Sequence, residues 1–241
     1  MKVYIVEDMN AGAELGYTLI RKEFDQGNLN VFGLATGSTP VTLYKKFAES
    51  DIDFSNTIAI NLDEYIGIGH DHEQSYDHFM RQNLFNAKPF KKTYLPDGLN
   101  EDAAAECAAY DAIIKENPID VQILGIGSNG HIGFNEPGAS FDSYTEKVAL
   151  APETIQANAR FFDSIDEVPK FAYSMGIKSI LGAKKIVLFA YGAAKADAIY
   201  KMLEEAPTTD LPASALQNHD DVIVIIDKEA ASKLDASKYN N

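Results

Sequence analysis

Short apolar runs of strand length recur along this chain, each followed by a stretch with helical spacing, and no other feature restricts the fold as much. The runs are 2–6, 29–35, 57–62, 119–124, 185–190 and 222–227, the last reading Val-Ile-Val-Ile-Ile-Asp. Stretches with helical character lie at 9–26, 40–49, 75–85, 101–116, 176–183 and 193–204. Strands that are apolar on both faces belong to a covered sheet, and their alternation with helices makes that sheet parallel. The expectation is an α/β protein, a single domain over 1–241, with a mostly parallel sheet and helices on both faces. Residues 144–170 break the rhythm with a short strand, a helix from Pro152, then Arg160-Phe-Phe and an acidic turn. An irregular segment of that length inside a compact domain is a candidate active-site lid.

Charge narrows the partners. The formal net charge is −15, which disfavours nucleic acid and anionic membrane. An anionic small-molecule substrate would therefore need a local positive site. No apolar run approaches membrane-spanning length. Met1-Lys-Val-Tyr-Ile-Val reads as a strand and not as a leader, and the single Cys107 has no internal partner. A reducing, cytoplasmic location is expected.

The chemistry-bearing residues cluster where strands end. The run 119–124 leads into Gly125-Ile-Gly-Ser-Asn-Gly-His-Ile-Gly-Phe-Asn-Glu-Pro137, with four glycines in nine residues and Asn129, His131, Asn135 and Glu136 among them. Glycines let backbone approach a ligand, and ligands of open parallel sheets sit beyond the carboxyl ends of strands. A histidine with a carboxylate five residues on suits proton transfer, although a glycine-rich turn with a structural histidine would read the same way. Gly125 to Gly130 also fits the dinucleotide fingerprint. That fingerprint needs a helix opening at the glycines, and Gly133, Pro137 and Gly138 forbid one here.

Thr36-Gly-Ser-Thr-Pro40 joins a strand to a helix, with Thr39 expected as the N-cap and Pro40 at the first helical position. Free N–H groups at such a turn bind phosphate; an ordinary capped helix would look the same. Arg160 and Lys195 could complete an anion site or could be solvated surface charges. Asp63 ends the strand 57–62, where partial desolvation would make it a base, or where it could cap a turn. Glu64 beside it should point elsewhere. His70-Asp71-His72-Glu73 has no metal-ligand spacing, so neither a metal nor an organic cofactor is expected.

Taken together, these motifs resemble glucosamine-6-phosphate deaminases. The resemblance rests on Ala35-Thr-Gly-Ser-Thr-Pro40, Asn61-Leu-Asp-Glu-Tyr65, the Gly125–Pro137 run, Asn158-Ala-Arg-Phe-Phe162 and Gly192-Ala-Ala-Lys195, in that order over nearly the whole chain. It implies a Rossmann-like domain that converts glucosamine 6-phosphate and water into fructose 6-phosphate and ammonia in amino-sugar catabolism and N-acetylglucosamine utilisation. It also implies roles. His131, held by Glu136 and grouped with Asn129, would open the sugar ring. Asp63 would move a proton from C2 to C1 before water releases ammonia. Gly37, Ser38, Thr39, Arg160 and Lys195 would hold the 6-phosphate, and 144–170 would be the lid.

Two departures stand out. Position 129 is Asn where other members carry Asp, which leaves Glu136 as the one charged support for His131. Longer hexameric members bind an N-acetylated sugar-phosphate activator through basic residues, and the matching positions here are Glu146 and Val148. No such activation is expected, and a monomer fits. Two rivals share features. 6-Phosphogluconolactonases have a similar Gly-His loop without Phe-Asn-Glu-Pro, and sugar-phosphate-sensing regulators need a basic DNA-binding module.

Overall fold

The structure is a computed structural model that describes residues 1–239. Seven strands form one fully parallel sheet: β1 (Lys2–Val6), β2 (Val31–Leu34), β3 (Ile58–Asn61), β5 (Lys92–Tyr94), β6 (Val121–Leu124), β9 (Lys185–Ala190) and β10 (Val222–Asp227), in the spatial order β1-β10-β9-β6-β2-β3-β5. Every residue of β2, β6 and β10 is buried, which is why these segments are mostly apolar and lack the alternation of a half-exposed strand. A second, antiparallel sheet joins β4 (Asp63–Tyr65), β8 (Phe171–Ser174) and β7 (Glu146–Ala149) in the order β4-β8-β7.

The helices α1 (Met9–Asp25), α2 (Val41–Glu49), α3 (Tyr76–Met80), α4 (Ala103–Glu116), α5 (Pro152–Asn158), α6 (Ile177–Leu181) and α7 (Ala196–Glu204) fill the connections. Three start on side-chain caps that satisfy otherwise unpaired N–H groups: Asp8 for α1, Ser75 for α3 and Asp102 for α4. The α1 face that packs most deeply is small: Gly12, Ala13, Gly16 and Ile20 are buried, with Leu15 and Leu19 to its sides. A Cβ at Gly16 would lie 2.6 Å from the Phe189 ring on β9, so the glycine permits that close approach.

Three features differ from the sequence reading. The short strands β4, β5 and β8 were not expected. The helix expected over 75–85 is α3 followed by a π-helical turn at Arg81–Phe85. Thr39 does not cap α2; Pro40 holds the cap position without a side-chain bond, and the helix begins at Val41. The polar tail forms one 3-10 turn at Ala236–Lys238, and its last two residues lie outside the described residues.

The crossing between the two sheets shapes everything downstream. The chain leaves β3 through Leu62 and at once enters β4, where Asp63 pairs with Ser174 and Glu64 with Tyr173. The Met175 N–H donates to Leu62 O at 2.7 Å. Asp63 is thus fixed at the junction of the sheets and is only 5 % exposed.

Candidate active site

β2 and β6 are neighbours, but the chain runs from β2 towards β3 and from β6 towards β9. Their following loops therefore part and leave a crevice at the carboxyl edge, the usual ligand position in such sheets. An open cleft of about 220 Å³ occupies it. Its walls include Gly37, Ser38, Thr39, Asp63, Asn129, His131, Arg160 and Lys195. Of the nine candidate residues, only Glu136 is not on the wall; it stands behind His131.

One end of the cleft gathers the glycine turn 36–39 with Lys195 and Arg160. Gly37 has φ +88, a left-handed angle that a side chain would resist, and it turns the β2–α2 loop around the cleft. The Thr39 side chain reaches across to the Gly125 loop, its hydroxyl 3.8 Å from where a Cβ on Gly125 would be. Thr39 is one residue outside the cap position, because α2 begins at Val41. Lys195 sits in the 3-10 turn after β9, and Arg160 in the 3-10 turn after α5. Burial, and then the nearby Arg160 charge, push the Lys195 ammonium below its usual pKa. Lys195 makes no ion pair among the described residues. Two cations that repel one another in a partly dry cleft favour an anionic ligand between them.

At the other end are two carboxylates in opposite surroundings. Asp63 is pushed up to about 8, first by burial and then by the charge of Glu64. Its Oδ2 lies 3.5 Å from where a Cβ on Gly133 would be, against the glycine loop. Glu64 faces away from the cleft: it accepts from the backbone N–H groups of Tyr65, Tyr76 and Asp77 and so ties β4 to the start of α3. Burial raises it to about 7 despite those bonds.

The loop after β6 carries the second carboxylate. Its conformation is held by Gly127 N–H donating to His131 O and Gly130 N–H to Gly127 O. The His131 ring lies against Gly127, where any Cβ would meet it at 2.4 Å. Nδ1 of His131 is 3.3 Å from Oε2 of Glu136, within charge-pairing range but without hydrogen-bond alignment. Asn129 bridges the two residues: its Nδ2 donates to Glu136 Oε2 at 2.8 Å, and its Oδ1 accepts from the His131 N–H at 3.2 Å. Thr154 on α5 donates from Oγ to Glu136 Oε1. Burial opposes the charge on Glu136, but His131, Thr154 and Asn129 overcome it and hold the carboxyl at about 2.

Asn135, read from sequence as part of the polar group at the site, is turned inward. It is buried, and its Nδ2 donates to Ile132 O and Met175 O, both at 2.9 Å. The sequence reading had not marked Tyr76, Thr154 or Asn158 as site residues, although all three line the cleft. Asn158 also donates to the Tyr65 hydroxyl at 2.8 Å, tying the end of α5 to β4. Its place in the Asn158–Phe162 motif was the available signal. Thr154 had none. The His70–Glu73 run serves local structure: His70 faces Asp77 at 3.7 Å, and His72 Nδ1 accepts from the Gln74 N–H. Among the described residues no group of His, Cys, Asp and Glu could hold a metal ion, and no helix is long and apolar enough to cross a membrane.

Comparison with known proteins places this geometry. The family model for glucosamine-6-phosphate isomerases/6-phosphogluconolactonase matches residues 9–225. The chain belongs to this family. Within the glucosamine-6-phosphate isomerase/6-phosphogluconolactonase family it is 58% identical to a glucosamine-6-phosphate deaminase of Pediococcus pentosaceus, over 97% of this chain and 99% of the relative. A glucosamine-6-phosphate deaminase of Lactobacillus helveticus is 55% identical, with both chains covered completely. The solved structure of a monomeric glucosamine-6-phosphate deaminase superposes with a TM-score of 0.94 at 41% identity, over 96% of this chain and 99% of that one. A 6-phosphogluconolactonase from Leishmania guyanensis superposes at 0.78 with 22% identity, over 97% of this chain and 98% of that one, and shares the fold.

Proposed function

We infer that this chain is a glucosamine-6-phosphate deaminase, converting glucosamine 6-phosphate and water into fructose 6-phosphate and ammonia. The observation that carries the reading is the single cleft joining an anion-binding end to Asp63 and the His131–Glu136 pair. The relatives at 55% and 58% identity support the same activity.

In this reading the 6-phosphate binds the Gly37-Ser38-Thr39 turn, with Arg160 and Lys195 supplying charge. His131 takes the proton of the anomeric hydroxyl and returns it to the ring oxygen as the C1–O5 bond breaks. Glu136 faces the imidazole and stabilises it while it carries that proton. The product is an open-chain 2-amino aldehyde. Asp63 removes the proton from C2, which the carbonyl acidifies; the electron pair forms an enolate, whose oxygen takes a proton from the adjacent ammonium to give an enolamine. The proton returns to C1, leaving an imine at C2. Water adds to that imine and ammonia departs. A base with a pKa raised towards neutrality is well matched to such a transfer, an effect worth ~10²–10⁴-fold.

The segment 144–170 acts as the lid over this cleft, since α5 and Arg160 both lie within it and line the wall. A monomer, working in the cytoplasm without activation by N-acetylglucosamine 6-phosphate, completes the proposal. Glu146 and Val148 on β7 offer no basic pair for a second sugar phosphate.

The test is incubation of purified protein with glucosamine 6-phosphate and, separately, with 6-phosphogluconolactone. Equal amounts of ammonia and fructose 6-phosphate from the first are expected. Hydrolysis of the lactone with no ammonia from the amino sugar would replace this reading with the other branch of the family.

A further inference from the structure

The strongest unassigned contact at the site crosses from the proposed lid to the ring-opening carboxylate. Thr154 is in the first turn of α5, is 5 % exposed and lines the cleft. Its hydroxyl donates to Oε1 of Glu136, eighteen residues back in the chain. The other oxygen, Oε2, receives Asn129 Nδ2 and faces His131 Nδ1. Each carboxylate oxygen thus has its own duty: Oε2 serves the imidazole, and Oε1 is tied to α5.

We propose that Thr154 is a positioning residue for ring opening, which sets Glu136 against His131 only while α5 is seated on the cleft. The proposal rests on the deaminase reading and deepens it. A carboxylate held at one oxygen can still swing about its terminal torsion, because such sp³–sp² torsions are broad. A donor on each oxygen fixes the plane, and with it the direction of Oε2 towards Nδ1. Hydrogen bonds from a hydroxyl to a carboxylate are short and strong, so this contact is well suited to the task. Arg160, at the phosphate end, follows in the same segment. Seating α5 therefore brings the phosphate cation and the Glu136 donor into place together.

The alternative is that Thr154 only packs α5 through its methyl group. Two substitutions separate the readings, because they remove opposite halves of the side chain. Thr154→Val keeps the shape and loses the donor; Thr154→Ser keeps the donor and loses the methyl. Steady-state ammonia release by wild type and both variants is the measurement. The proposal expects T154V to lose about tenfold or more in kcat, the equivalent of one hydrogen bond to a charged group, with KM within about twofold of wild type. T154S should keep most of kcat. The inference is overturned if T154V turns over normally, if its defect lies in KM alone, or if T154S is as slow as T154V. Should T154V not fold, a T154S enzyme with kcat reduced tenfold would still overturn it, and one with kcat retained would support it. Absence of ammonia from the wild type would instead remove the deaminase reading itself.

Discussion

Asp63 lies on the wall of the cleft and Glu136 stands behind His131, and the chain treats the two carboxylates in opposite ways. Asp63, at the junction of the two sheets, is buried beside a second carboxylate and is pushed up to about 8. Glu136, on the loop after β6, is also largely buried, yet donors from Asn129 and Thr154 and the facing His131 hold it at about 2. Burial acts the same way on both. The neighbours differ: Asp63 has the charge of Glu64 beside it, whereas Glu136 faces the His131 imidazole and accepts from Thr154 and Asn129. One group is left able to take and give a proton near neutral pH, the other is a fixed negative charge, and pairs split in this way assign acid–base roles.

The largest effect should come from erasing the first half of that contrast. Asp63→Asn should bind glucosamine 6-phosphate and lose about 10³-fold or more in ammonia release, in the upper half of the ~10²–10⁴-fold range of a single proton-transfer group. The same variant should be more stable. The folded pKa of Asp63 is raised above its unfolded value, so its contribution to stability is greatest at acid pH and falls as pH rises from about 4 to about 8. Asn carries no such penalty. Thermal unfolding at pH 8 should show Tm higher by about 2–4 °C for each kcal/mol of charge burial removed.

The second half is tested by Glu136→Gln. Loss of the fixed charge should lower kcat by about 10²-fold, in the range expected for one partner of a general acid–base pair, and wild-type kcat in this variant would sever Glu136 from the mechanism. Its stability signature has the opposite sign. A depressed carboxyl contributes stability that is complete above its unfolded pKa and is lost as pH falls towards about 2. Wild type should therefore lose this contribution between about pH 4 and pH 2, and E136Q should not. Asn129→Asp is the mildest change. It exchanges the Nδ2 donor for a charge next to Glu136 Oε2 but keeps an oxygen to accept the His131 N–H, so kcat should fall by less than about tenfold, below the full scale of one hydrogen bond to a charged group. A larger loss would mean that the Asn bridge, more than the charge on Glu136, holds His131.

The parallel sheet was legible because its inner strands are apolar on both faces, and β6, β9 and β10 lie close to where their runs predict. β4 was not: Asp-Glu-Tyr has no strand pattern, and its burial comes from pairing with β8 across the junction. β5 is a three-residue edge strand, and β8 follows an acidic turn. Apart from Arg160, which α5 carries to the cleft, the candidate residues were legible as motifs at or just after strand ends, and the topology gathers them at one edge because every parallel strand ends there. The roles of Asn135 and Thr154 were not legible. Asn135 serves two buried carbonyls, and Thr154 meets Glu136 only through the placement of α5. Thr39 misled because its residue type suits a cap, whereas the cap position falls to Pro40.

If Asp63 is the base, its surroundings, Glu64 included, set the pH at which the enzyme works. The direct measurement is the pH dependence of kcat/KM for wild type and Glu64→Gln, a change that keeps one oxygen to accept the Tyr65 and Tyr76 N–H groups while removing the charge. The base must be unprotonated, so activity should fall as pH drops below a limb near 8, and the limb should move to lower pH in E64Q. A wild-type limb near pH 4, or one that stays in place when the Glu64 charge is gone, would remove Asp63 as the base tuned by its neighbour.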